Sequence, residues 1–278
     1  MKLVISLVSI CLFIAVLLFW WEKHLDNNHI FVVYFGRPSD VLSYTTQSWQ
    51  KILKGSLSTT IIAFISLLMS AAMALLFLVI GLLSDRWLRQ IEKFALISQT
   101  IPMLVIVAIC YIIEKSIIGR AFLNIHFVWY CFVPVSIVLF FPPLVYGIKG
   151  IRDIDTDMKA MLRIWNAPKM WRIIKVYLPQ ALPHILTGLR VSASWAIVAA
   201  LITEGLMFGV SNDQFSIGQS LIRPFSGSVI KGQTLTLMIV ATILGYFVYY
   251  VVGCIQSILQ KKVFGIAAEN EKNYPIID

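Results

Sequence analysis

Charge is scarce in this sequence, and negative charge scarcest. Asp and Glu number 14 among 278 residues, against 23 Lys and Arg. Cysteine is scarce too. Cys11, Cys110, Cys131 and Cys254 each lie in a separate apolar run, which excludes a disulfide framework and a CxxC metal site. His24, His29, His126 and His184 are scattered and form no ligand cluster. No Gly-rich turn precedes a Lys-Ser or Lys-Thr pair, so the chain has no phosphate loop with which to hydrolyse ATP. No GxSxG element or paired His occurs, and nothing suggests another enzyme activity. No charged ring or filter element appears, which speaks against a passive pore.

What is present is hydrophobic. Apolar residues make up 59% of the chain and the mean hydropathy is +0.83. Soluble domains of this size rarely approach that. The chain is therefore expected to be an all-α integral membrane protein, because a β-barrel would show short alternating segments instead of long apolar runs. The net charge of +9 is read as basic cytoplasmic loops rather than as a nucleic-acid surface.

Six spans are expected, in one domain covering 1–278. The first, about 3–21, ends in Trp20-Trp21-Glu22-Lys23, an interfacial anchor rather than a cleavage site. Residues 22–51 read as an external loop with a turn at Gly36, Pro38, Ser39 and Asp40 and a short helix near its end. The second span covers about 52–83 and the third 94–113, with Pro102 as a kink. The fourth covers 128–148, interrupted by Pro134, Pro142 and Pro143. The fifth covers about 183–210 and the sixth 234–260, with an external loop at 211–233 between them. With the N-terminus inside, 14 basic residues fall on the inner side and 8 on the outer, intramembrane Arg190 left out. That bias puts both termini in the cytoplasm.

The most charged stretch is 149–183. It carries Lys149, Arg152, Lys159, Arg163, Lys169, Arg172 and Lys175, with Met158, Met161, Leu162 and Trp165 interleaved at helical spacing. That is a short amphipathic helix on the cytoplasmic face. Asp155 or Thr156 can cap its start. Asn166 can end it, since Asn tolerates a left-handed backbone. A second short helix, about Lys169–Tyr177, is expected to end at Pro179.

The same stretch resembles the signature of permease subunits of binding-protein-dependent ABC importers. That signature is Glu-Ala-Ala, then Gly, then Leu-Pro. Anchored on Leu178-Pro179, the Gly position falls on Asn166, followed by a matching Ala167, and the Glu-Ala-Ala positions fall on Ala160, Met161 and Leu162. The Glu is absent and the Gly is Asn. The match runs on through Gln180, Ala181, Leu182, Pro183 and Ile185 to Arg190, as in the nitrate, sulfonate and taurine importers. Ile101-Pro102 and Phe140-Phe141-Pro142 recur at their places in that family.

The resemblance implies a six-transmembrane-helix type I ABC importer permease fold with a cytoplasmic coupling helix. It implies a bacterial cytoplasmic membrane location, two cytoplasmic ABC ATPase subunits, a second permease copy (a homodimer) and an external solute-binding protein. Membrane lipid surrounds the chain and nucleic acid is no partner. No cofactor is bound by this chain; ATP and Mg belong to the partner ATPase. The ATPase-coupling residues are then Met158, Lys159, Met161, Leu162, Arg163, Trp165, Asn166 and Ala167.

The fifth span adds a second candidate site. At about 100° per residue, Ser192, Ala193, Ala199, Ala200 and Thr203 lie within roughly 60° of Ala196. Small residues let another helix approach closely. With Glu204 they form a candidate pathway wall or subunit interface. Glu204 is read as either a pathway group or a satisfied interhelical contact, because an acid in a span is costly unless paired or wetted. The leading functional reading is a permease that forms the pathway for a small solute and couples to a separate ATPase by alternating access. The alternative is a membrane scaffold or sensor that kept the fold but lost the coupling.

Overall fold

The structure, a computed structural model, describes residues 21–23, 30–98, 100–113, 127–207, 215–226 and 230–264. Every extended element among them is helical. The expected first span, 3–21, lies almost entirely outside the described residues. By length and composition, four helical runs among these residues can cross a membrane, or five if one bent pair counts as a span. The chain divides into two compact units, each described separately below: residues 1–59 with 204–243, and residues 60–203 with 244–278.

In the first unit, α1 (Ile30–Phe35) leads into α2 (Pro38–Leu82). The expected turn at Gly36–Asp40 is instead a helix start, so α2 begins well before residue 52. Pro38 takes the first helical position, where its missing N–H costs nothing. The Asp40 carboxylate reaches back and accepts from the Arg37 N–H at 2.9 Å, one half of a capping box. The turn itself needs glycine. Gly36 has φ 77° and lies against the backbone of Gly232, whose φ is 79°. A Cβ on Gly232 would stand 2.5 Å from the Asp40 carbonyl. Gly232 precedes α11 (Gln233–Phe264), so the starts of α2 and α11 meet backbone to backbone. Thr45 and Thr236 hydroxyls add a 3.4 Å contact one turn further in. The region expected as the loop 211–233 contains α10 (Ile217–Ile222) and a following 3-10 turn, Arg223–Ser226.

The second unit holds the larger core. The third span expected at 94–113 is two helices, α3 (Asp85–Ser98) and α4 (Met103–Ile113). Their axes bend by 103° at the break before Pro102. Proline has no N–H for the helix ladder, and its ring biases Ile101 away from helix. The fourth span is interrupted at one residue only, Phe140, which keeps helical φ and ψ between α5 (Phe127–Leu139) and α6 (Phe141–Arg152), and it runs through as one span. Pro142 and Pro143 stand in the first turn of α6, where proline is tolerated. Leu78, Ile91, Phe140, Phe141, Leu144, Ile148 and Ile185 fill one buried cluster. Phe140 packs edge-on against Phe77, with centroids 5.1 Å apart.

After α6 come α7 (Thr156–Ile164) and α8 (Lys169–Arg172). A π-turn at Ile173–Tyr177 then runs directly into α9 (Leu178–Met207). Pro179 therefore does not end the helix. The Leu178 N–H bonds the carbonyl five residues back, at Ile173. That widened turn relieves the clash a proline ring makes with a standard ladder.

Close approach explains how α6 and α9 pack. A Cβ on Gly188 would stand 2.5 Å from Pro143 Cα and 2.8 Å from the Pro142 carbonyl oxygen. A Cβ on Gly147 would stand 2.9 Å from Ile185. Pro143 cannot donate to the carbonyl four residues before it, Leu139. The Ser192 hydroxyl on α9 donates there instead, at 2.8 Å, so the break in the α6 ladder is satisfied by the neighbouring helix.

Candidate coupling surface and small-residue face

α7 has defined ends. The Asp155 carboxylate accepts from the Asp157 N–H at 3.2 Å, and the Asp155 carbonyl accepts from the Lys159 N–H at 3.1 Å. That is an N-cap. Asn166 has φ 48°, and the Ala167 N–H bonds the Leu162 carbonyl at 3.4 Å. This is the Schellman arrangement, with the left-handed residue usually a Gly. Asn fills the place because its side chain lowers the strain of αL. Ala167 is half-buried behind it, and Pro168 then leaves extended, with ψ 141°.

The apolar residues of α7 divide. Leu162 is 3% exposed, whereas Met158, Met161 and Trp165 are 36%, 45% and 67% exposed. Leu162 therefore holds the helix to its own chain and is unavailable as a docking contact. Ile164, at 82% exposed, takes its place. At about 100° per residue, Ile164, Met161, Trp165 and Met158 form one continuous arc centred on Met161. The arc was present in the spacing. The spacing alone did not say which end of it turned inward.

Two basic residues of this stretch bond back onto the chain. Lys159 Nζ donates to the Arg152 carbonyl at 3.0 Å, at the end of α6. Lys169 Nζ donates to the Leu83 carbonyl, just past the end of α2. Cations on helix C-terminal carbonyls satisfy orphan acceptors and the helix dipole together. Lys159 is thus not free to meet a partner's acid. Arg152 pairs with Glu92 of α3, which ties α3 to the end of α6. The Arg163 side chain lies outside the described residues. Beyond α7, Met170, Trp171 and Ile174 are exposed, an extension of apolar surface that the spacing argument did not include.

The small-residue face of α9 is buried throughout. Ser192, Ala193, Ala196, Ala199, Ala200, Thr203 and Glu204 are each 0–1% exposed. Ser192 is bonded to Leu139, and the Thr203 hydroxyl donates to the Ala199 carbonyl at 2.8 Å. Glu204 accepts three hydrogen bonds. Its donors are Thr59 Oγ1 at 2.8 Å, Ser216 Oγ at 2.7 Å and the Gly218 N–H at 3.1 Å. Thr59, Ser216 and Gly218 carried no signal in the sequence, because they approach Glu204 only through the fold. Arg190 lies over the Tyr249 ring, 4.9 Å from its centroid, and over Gly253. No cluster of His, Cys, Asp and Glu suited to a metal occurs among the described residues.

Residues 87–265 match the family model described as binding-protein-dependent transport system inner membrane component. The chain is 29% identical over 96 residues to the bicarbonate transport system permease protein CmpB of Synechococcus elongatus, covering 34% of each chain. It is 23% identical over 149 residues to the formylaminopyrimidine transport permease protein ThiX of Halalkalibacterium halodurans, covering 54% of this chain and 56% of the relative. The chain thus spans between a third and somewhat over half of the length of these curated relatives. Among solved structures it resembles an inward-facing conformation of the MetNI methionine ABC transporter. The TM-score is 0.59 at 15% identity, covering 77% of this chain and 98% of the other. That likeness gives the fold, the type I importer permease fold. With the family model matching well over half of its residues, the chain belongs to the binding-protein-dependent transport system inner membrane components.

Proposed function

We propose that this chain is the transmembrane permease subunit of an ATP-binding-cassette importer. It forms the translocation pathway for a small solute and couples by alternating access to ATPase subunits supplied by other chains. The observation that carries the reading is α7: a capped helix held by Leu162 and Lys159, with Met158, Met161, Ile164 and Trp165 left exposed. Helix-in-groove recognition uses such an arc of apolar side chains. Trp165 is the expected anchor, because buried aromatics dominate such contacts. ATP and Mg bind the partner ATPase. Two ATPase subunits, a second copy of this permease and an external solute-binding protein complete the assembly, in the bacterial cytoplasmic membrane with both termini inside. The binding protein sets the solute. The small-residue face of α9, buried against its own chain, supports close packing of the helices beside the pathway rather than a wall open to solute.

Co-purification tests the reading. The chain, expressed with candidate ATPase and binding-protein subunits from the same genome, should retain the ATPase in detergent and show solute-stimulated ATP hydrolysis. An assembly that retains no ATPase and shows no stimulation would leave the membrane-scaffold reading instead.

A further inference from the structure

Glu204 lies outside the coupling surface and is buried, and none of the steps above uses it. Its surroundings within the first unit give it a definite job. Segment 215–222 contains a helix of only six residues, too short to hold together alone. Yet Ser216, Ile217, Gly218 and Ser220 are all buried. Two glycines provide seats for the segment. A Cβ on Gly55 of α2 would stand 3.1 Å from both Phe215 and Ile217, and a Cβ on Gly205 of α9 would collide with Ile222. Glu204 provides the polar fixing. It takes one bond from α2, through Thr59, and two from the segment, through Ser216 and Gly218. The Thr59 hydroxyl has one proton and two acceptors in reach: Glu204 Oε1 at 2.8 Å and the Gly55 carbonyl at 3.0 Å. The shorter bond, to the carboxyl oxygen, is the stronger of the two. Among the described residues no cation pairs with Glu204, so these three donors are what satisfy its buried carboxyl oxygens.

We propose that Glu204 is the anchor of segment 215–222: it clamps the segment onto α2 and α9 and so positions their ends on that side for the transport cycle. The role in the cycle rests on the transport reading; the clamp does not, and the two are tested apart. Glu204 is then a positioning residue and touches no solute.

The test uses Ser220→Cys in a background with the four native cysteines replaced, in membrane vesicles, with N-ethylmaleimide as the probe. Position 220 is 2% exposed, so its labelling reports undocking of the segment and needs no ATPase. Labelling is expected to be slow in the parent and roughly tenfold to a hundredfold faster with Glu204→Ala, the range for leaving buried donors without an acceptor. Thr59→Val should accelerate it several-fold (roughly 3–10-fold), and Thr59→Ser should leave it slow. Adding Thr59→Val to Glu204→Ala should bring no further change, because both remove the same bond. If Glu204→Ala does not fold, the Thr59→Val against Thr59→Ser contrast decides alone. In assembled transporter, Glu204→Gln should lower the maximal transport rate at unchanged KM. Labelling within about twofold of the parent in Glu204→Ala, equal labelling in the two Thr59 variants, or effects of the two sites that multiply would overturn the clamp. A raised KM with unchanged labelling would give Glu204 to the solute and overturn it as well.

Discussion

Two surfaces of this chain carry the same kind of helical stripe and meet opposite ends. The stripe on α9 is built of Ser192, Ala193, Ala196, Ala199, Ala200 and Thr203, and every member is buried in the chain itself. The stripe on α7 is built of Met158, Met161, Ile164 and Trp165, and every member is exposed. The difference follows from side-chain size and backbone repair. Small side chains let α6 approach until Gly188 meets the Pro142-Pro143 backbone and Ser192 reaches a carbonyl that proline had left open. The large flexible side chains on α7 stay exposed, and the helix is held by the burial of Leu162, by Lys159 on the Arg152 carbonyl and by Gln180 Nε2 donating to Met158 Sδ at 3.4 Å. Periodicity gave the members of the α9 stripe, but on α7 it gave Met158, Met161 and Trp165 with Leu162 in place of Ile164. It takes the neighbouring element to say which is filled from within.

The sharpest way to break the α9 side of this contrast is at its closest approach. Gly188→Leu forces a side chain into the Pro143 backbone, which cannot give way. It should cost about 3 kcal/mol or more, the upper range of overpacking, and monodisperse protein should be lost on gel filtration in detergent. A chain of normal yield and melting temperature would mean that α6 and α9 do not touch there. Leu162→Ala comes next. At 3% exposure it should destabilise the chain by about 2–4 kcal/mol, seen as a lower melting temperature before any ATPase is added. If only ATPase binding falls and stability does not, Leu162 faces the partner and the division of α7 is wrong. Ser192→Ala should be milder. Hydrogen bonds between membrane helices average about 0.6 kcal/mol and reach about 1.7. Thermal unfolding should therefore fall slightly, while Ser192→Thr, if the extra methyl fits, should restore it.

The contrast also shows which parts of the molecule were legible beforehand. The stop of α7 at Asn166 was legible, because few residues tolerate φ 48° and Asn is one of them. Its start was legible from capping chemistry as Asp155 or Thr156, and the Asp157 N–H bond selects Asp155. The breaks at Pro102 and Pro142-Pro143 were legible as breaks, but not the 103° bend at the first, since a proline sets where a ladder fails and not how far the axis turns. Pro179 misled in the other direction: a π-turn carried the helix past it. Residues 36–40 also misled, because Gly, Pro, Ser and Asp mark turns and helix starts equally well, and only the Asp40-to-Arg37 bond distinguishes the two. The inward use of Lys159 and Lys169 had no local signal, since their acceptors, the Arg152 and Leu83 carbonyls, become neighbours only in the fold.

The central claim is that the exposed arc of α7 is a docking surface for a separate ATPase, and Trp165→Ala tests it most directly. At 67% exposure the ring contributes little to the chain's own stability, so the melting temperature of the isolated permease should stay within about 1–2 °C of the parent. Detergent pull-down of the ATPase should weaken by roughly thirtyfold, the cost of truncating an aromatic hot spot of about 2 kcal/mol. ATP hydrolysis should lose its stimulation by solute. If the ATPase stays bound at parental affinity while the variant remains folded, α7 lies on the anionic lipid surface through its basic neighbours, and the coupling assignment fails.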